Sequence, residues 1–255
     1  MDGVRSEGTS LTASPGRAVL AASALGVGGY VFGMVVVGVA GAVLTFAGIE
    51  LLERPTLLVG LSTVMGQGVA FGGFALAYLA FSGRGVEFVR VRMPTLRDVG
   101  WTVGGTVVLF TGLIVVSGLL TVFGIESGSN TIEQFGQQDP RVYLLLVPFS
   151  FLFIGPGEEL LYRGVVQGRL REAFGPWVAI VLASFVFAVI HVFSVTGEGR
   201  LTYLAILFIL SPVLGAAYEW TENLVVPSLI HGAFNAVQFY GAYLGATGGL
   251  STGLL

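Results

Sequence analysis

The chain contains no cysteine. Disulfide frameworks, thiolate metal sites and cysteine nucleophiles are therefore excluded. It contains no lysine either, so all 12 basic residues are arginine. Charged residues occupy 11% of the 255 positions, against about 25% in ordinary soluble domains. Acids outnumber bases by 15 to 12, and no basic stripe exists, so nucleic-acid binding has no support. Histidine is also scarce: His191 and His231 are the only two. A lysine-free, mildly acidic composition suggests a GC-rich, prokaryotic genome.

What is abundant is apolar sequence, at 54% of the chain. It comes in long unbroken runs rather than at amphipathic spacing. A run of about 20 apolar residues is what a helix needs to cross a hydrocarbon core of about 30 Å. The pattern predicts an all-α, polytopic transmembrane bundle of about seven spans (seven or eight). They cover 18–49, 56–81, 99–124, 142–173, 176–194, 201–219 and 224–244. The first run is much longer than the apolar part of a signal peptide and is expected to remain as a long or tilted span. Residues 1–17 are polar and expected to be a disordered cytoplasmic segment. Residues 18–141 are expected to form N-terminal spans, 142–244 a transmembrane core, and 245–255 a tail. Gly29 and Gly33 stand at GxxxG spacing, which predicts close helix packing. The alternating stretch Val86–Arg92 predicts a short strand or an interfacial segment.

Arginine placement predicts the orientation. With the N-terminus in the cytoplasm, Arg5, Arg17, Arg84, Arg90, Arg92, Arg97, Arg169 and Arg171 lie inside. Only Arg54, Arg141 and Arg200 lie outside. The expected location is a cell membrane, with lipid as an obligatory partner.

Ionisable groups in hydrocarbon cost about 2.5–3.5 kcal/mol each on insertion scales and mark functional sites. Three sets stand out. The first is Glu158, Glu159 and Arg163. Glu159 and Arg163 are four apart and share a helix face, so they can neutralise each other. Glu158 points elsewhere and has no local cation. The plain alternative, that these residues cap the cytoplasmic end of span four, conflicts with the preference of a helix C-terminus for cations.

The second set is Phe187 and His191. Gly175-Pro176 reads as a tight turn between spans four and five. Glu159 is 16 residues before Gly175, and His191 is 15 after Pro176. In an antiparallel hairpin both then sit about 24 Å from the turn, at one depth. The third set is His231 and Asn235, four apart on one face of the last span. Intramembrane asparagine also serves simply as an interhelical hydrogen-bonding group. The depth of this third set is not fixed by sequence, because the preceding turn is poorly defined.

This set has the parts for peptide hydrolysis. A base must activate water, donors must stabilise an oxyanion, and a proton must reach the leaving amine. Glu158 is the candidate base. His191 is placed to hold the same water or shuttle its proton. His231 and Asn235 are candidate oxyanion donors, with Glu159 and Arg163 as a brace. The same residues match a second stoichiometry, in which Glu158, His191 and His231 bind Zn²⁺ with one open position. Sequence leaves both open, with no cofactor or zinc. Other designs fail by absence: there is no H-E-x-x-H, no G-x-S-x-G and no aspartate within a predicted span.

E-E-x-x-x-R, F-x-x-x-H and H-x-x-x-N, in this order over about 142–240, resemble the type II CAAX prenyl endopeptidases and their prokaryotic relatives among bacteriocin-processing and immunity proteins. The run Gly215–Leu224 resembles the stretch before the last motif of that family. The resemblance implies a helical bundle with a conical cavity open to lipid and cytoplasm. It implies an intramembrane endopeptidase, metallo- or glutamate-dependent, acting on a membrane-tethered peptide or a prenylated, lipidated protein. It assigns Glu158 to water activation and Glu159, Arg163, Phe187, His191, His231 and Asn235 to the three motifs. Two rivals remain at this stage: a non-catalytic immunity or scaffold protein of the same fold, and a proton-coupled transporter. The second would show inverted repeats, and none is visible.

Overall fold

The structure, a computed structural model, describes residues 14–249. Residues 1–13 of the predicted N-terminal segment and residues 250–255 of the predicted tail lie outside the described residues. Eight helices follow in order: α1 (Pro15–Phe46), α2 (Pro55–Phe81), α3 (Leu96–Val122), the short α4 (Thr131–Gln138), α5 (Arg141–Arg171), α6 (Pro176–Phe193), α7 (Arg200–Thr221) and α8 (Val225–Ala246). Two-residue strands β1 (Ser129–Asn130) and β2 (Val195–Thr196) pair antiparallel and tie the segment before α4 to the α6–α7 connection.

The protein is an all-helical, multi-pass membrane protein. Six helices, α1, α2, α3, α5, α6 and α7, are long and apolar enough to cross a bilayer. The seventh expected span, α8, has 22 residues, enough for a crossing at about 1.5 Å per residue. His231, Asn235 and Gln238 interrupt its apolar run. The stretch at Val86–Arg92 is not a strand: Val86–Phe88 is a single 3₁₀ turn, and the chain beyond it lies against the α7–α8 turn. There the Leu224 N–H donates to the Arg90 carbonyl at 2.8 Å.

Local chemistry sets the helix ends. Gly48, Gly124 and Gly248 sit at positive φ just past α1, α3 and α8, where a Cβ would be strained. At α1 the Gly48 N–H bonds to the Thr45 carbonyl and the Ile49 N–H to the Leu44 carbonyl, closing a Schellman end. α3 starts three residues earlier than expected, which takes Asp98 into its first turn. Asp98 caps Thr95 and accepts two hydrogen bonds from Arg92, at 2.6 and 2.9 Å. An aspartate therefore does lie in a spanning helix, but its carboxylate is fully engaged at the helix N-terminus.

α5 is the axis of the bundle. Of its most apolar stretch 44% is buried inside the protein, against 11% for α1 and α3. The outer faces of α1 and α3 keep apolar side chains such as Val35, Val39, Val107 and Ile114 exposed, as lipid contact requires. Leu161, Tyr162, Val165, Val166 and Leu170 of α5 share one core with Ala22, Phe71, Ala75, Ala183 and Phe187 from α1, α2 and α6. Glycines allow this closeness. A Cβ at Gly29 would stand 2.6 Å from Leu161 Cδ2, and one at Gly33 3.1 Å from Phe71 Cε1. The GxxxG pair is thus a packing face.

Candidate functional site

The glutamates sit where α5 departs from regular α-helix. Pro148 and Pro156 each lack the N–H that an α-turn requires, and each ring would press on the carbonyl four residues earlier. The helix widens into π-helical turns at Ser150–Ile154 and again at Leu160–Gln167, on either side of Gly155–Glu159. π-turns re-aim side chains and concentrate at functional sites. Gly155 and Gly157 permit close neighbours here. A Cβ on Gly155 would lie 2.5 Å from the Ser228 carbonyl oxygen of α8, and one on Gly157 would collide with the Gln67 carbonyl of α2.

Glu159 and Arg163 are completely buried, each 0% exposed. Arg163 Nε donates to Glu159 Oε2 at 3.0 Å, and its Nη2 donates to Ser211 Oγ at 2.8 Å. The guanidinium also lies 5.1 Å from the centre of the Phe187 ring, a cation–π contact. The second oxygen of Glu159 is not idle. Glu159 Oε1 is 2.9 Å from His231 Nδ1. One carboxylate therefore bridges an arginine of its own helix and a histidine of α8. Because a carboxylate accepts, His231 Nδ1 carries the hydrogen and Nε2 faces the other way.

His231 Nε2 faces Glu158, with Oε2 at 4.0 Å. Glu158 is nearly buried and makes no side-chain hydrogen bond among the described residues. His191 ends the α-helical part of α6. Its Nδ1–H donates to the Phe187 carbonyl at 2.7 Å, which leaves Nε2 free. The Phe187 ring lies between the two histidines, 4.7 Å from His191 and 6.1 Å from His231, centre to centre. It also packs edge-on to Tyr162 at 5.2 Å. Phe187 is thus level with Tyr162 and Arg163, and His191, one turn further from the hairpin, is level with the glutamates. The α5–α6 register is the one the residue count predicts.

The structure brings Glu158, Glu159, Arg163 and His231 into one polar cluster, with His191 beside it across Phe187. Asn235 does not join the cluster. It is half-buried, one turn beyond His231 on α8, and makes no side-chain hydrogen bond among the described residues. Sequence reasoning missed Ser211, which receives Arg163. Its only signal was a Ser-Pro pair inside a span, where Pro212 breaks α7 into two segments. The three-ligand zinc set does not fit this geometry. Among the described residues no three His, Asp or Glu side chains converge on a point that could hold a metal ion.

Residues 140–237, which contain all of these groups, match the family model described as "Type II CAAX prenyl endopeptidase Rce1-like". This bears out, over that segment, the resemblance carried by the three motifs. The chain is also similar to the "Uncharacterized protein YpbD" of Bacillus subtilis (strain 168), at 38% identity over 95 residues. That alignment covers 35% of this chain and 41% of the relative. The chain therefore spans about two-fifths of the length of the curated relative it matches. No solved structure matches.

Proposed function

We propose that this protein is an intramembrane endopeptidase in which Glu158 activates water for attack on a peptide bond. The observation that carries this reading is the 4.0 Å span between Glu158 Oε2 and His231 Nε2 inside an apolar bundle. That distance is too long for a direct hydrogen bond. It is the span over which one water can bond to both atoms.

The steps follow from the positions of the side chains. Glu158 takes a proton from water as the oxygen attacks the substrate carbonyl, forming the C–O bond. The carbonyl π pair moves to oxygen as an oxyanion. His231, fixed by Glu159, presents Nε2 to that centre. As an imidazolium held between Glu159 and Glu158, it donates its Nε2–H to the water oxygen before attack and to the oxyanion after it, and keeps both protons throughout. Asn235, on the same face of α8, supplies an amide donor. The C–N bond then breaks, and Glu158 returns its proton to the leaving amine. His191 Nε2 is a second site from which the proton can be shuttled. Arg163 and Glu159 do not touch the substrate. They hold the His231 ring in position and orientation.

The match over residues 140–237 supports a substrate class: a peptide tethered to the membrane, such as a prenylated CAAX-type tail. Lipid is the other partner. The arginine bias supports a cytoplasmic N-terminus, and thus access from the end carrying the α5–α6 turn. The test is cleavage of a farnesylated CAAX-type peptide by protein in liposomes, with products read by mass spectrometry. Cleavage by wild type and none by Glu158→Gln is the expected result. Equal cleavage by both sinks the assignment of the base.

A further inference from the structure

The segment that matches the family begins at residue 140, yet the glutamate turn is flanked by a helix that lies wholly before it. α2 is π-helical from Thr63 to Phe71, and Gln67 stands in the middle of that stretch. Gln67 is the one amide side chain of α2, in a span otherwise of apolar, hydroxyl and glycine residues. Its Oε1 is buried and has no hydrogen-bond partner among the described residues. A carboxamide oxygen in hydrocarbon without a partner is unfavourable by several kcal/mol, so its presence asks for a role.

Packing fixes which part of α5 this residue meets. α2 and α5 run parallel, and their contacts advance together. Gly60 meets Leu145, Gly68 meets Phe153, and the Gln67 carbonyl meets Gly157. One turn on, Phe71 packs edge-on to Tyr162 at 6.1 Å. Gln67 precedes Phe71 by four residues and Glu158 precedes Tyr162 by four. With its backbone carbonyl against Gly157, Gln67 sits on the glutamate turn, next to Glu158. Each of the two has an oxygen with no side-chain hydrogen bond among the described residues.

We propose that Gln67 is a further catalytic residue: its carboxamide binds the water that Glu158 deprotonates and holds it in line with the substrate carbonyl. The amide oxygen accepts one hydrogen of the water, while Glu158 takes the other. This rests on the endopeptidase reading, and it places part of the machinery outside the matched segment. Substrate binding rests on other groups, so loss of the amide acts on turnover.

Two measurements test it. Gln67→Met keeps the volume and flexibility of the side chain and removes the polarity. In the liposome assay it should lower kcat by about tenfold or more, with KM changed by less than about twofold. A wild-type kcat in Gln67→Met overturns the proposal, as does a loss confined to KM. The second measurement needs no activity. Because the chain has no cysteine, the double variant Gln67→Cys with Glu158→Cys has no competing thiol. A short bifunctional thiol reagent should link α2 to α5 in membranes, read as a loop-closed band after proteolysis between them. No link in folded protein overturns the facing arrangement whatever the catalytic result. A link in the double variant, alongside wild-type protein that cleaves nothing, leaves the arrangement standing and removes the endopeptidase reading beneath it.

Discussion

Glu159 and His231 are 72 positions apart in sequence and 2.9 Å apart in space: Glu159 Oε1 faces His231 Nδ1 while Oε2 holds Arg163. This bridge separates two adjacent glutamates into different roles. Glu159 is spent on structure, and Glu158 stays free for chemistry. The division yields predictions in which neighbouring substitutions fail in different ways.

Glu158→Gln is isosteric and breaks no side-chain hydrogen bond among the described residues. It should reduce cleavage by about 10²-fold or more while thermal unfolding in detergent stays at the wild-type midpoint. Activity near wild type removes Glu158 as the base.

Glu159→Gln strands the buried Arg163 charge. Removing one partner of a buried ion pair costs about 3–5 kcal/mol. The variant should unfold earlier and also lose activity, because His231 loses its anchor. A stable, inactive Glu159→Gln protein would show that the bridge matters for chemistry alone.

Gly157→Ala pushes a methyl group into the Gln67 backbone carbonyl, which cannot swing aside as a side chain can. Overpacking of this kind costs about 1–3 kcal/mol and should reduce the yield of folded protein. Gly104→Ala, where a Cβ meets nothing within 4 Å, is the control and should be neutral. Equal yields for the two would contradict the α2–α5 contact.

Chelation tests the donor geometry. Because no three ligands converge among the described residues, cleavage should persist after exhaustive metal removal, checked by elemental analysis of the same sample. Loss of activity that zinc restores would show that the ligands gather in a state other than this one.

Asp139 lies outside the spanning helices, between α4 and α5. Arg141 and then Thr56 hydrogen-bond its carboxylate and hold it well below the usual carboxylate range. A depressed carboxyl stabilises the folded state above its unfolded value of about 3.9 and stops doing so as pH falls through the folded value. Unfolding midpoints should therefore be flat from pH 7 to about 5 and fall below about 4. Thr56→Val should weaken that fall, and an unchanged acid limb would argue against the contact.

The sequence by itself determined the membrane class, six of the seven expected spans and the identity of the polar residues, because a 20-residue apolar run has one stable solution in lipid. It also determined the register of the α5–α6 hairpin, which puts His191 level with Glu158 and Glu159. A tight turn at Gly175-Pro176 makes an antiparallel hairpin a ruler, and the packing of Phe187 on Tyr162 obeys it. The start of α3 was misjudged by three residues, because Asp98 reads as a span boundary until its cap with Thr95 and its pair with Arg92 are seen.

Only the tertiary structure decided what His231 does. Its helix follows the irregular α7–α8 turn, so counting residues gave no depth, and its partner on α5 is 72 positions away. Only the tertiary structure set Asn235 apart from the cluster and brought the Gln67 backbone against Gly157, beside Glu158. Side-chain spacing along one helix reports which residues share a face. It does not report which neighbouring helix that face meets, because that depends on glycine-permitted approaches between segments far apart in the chain.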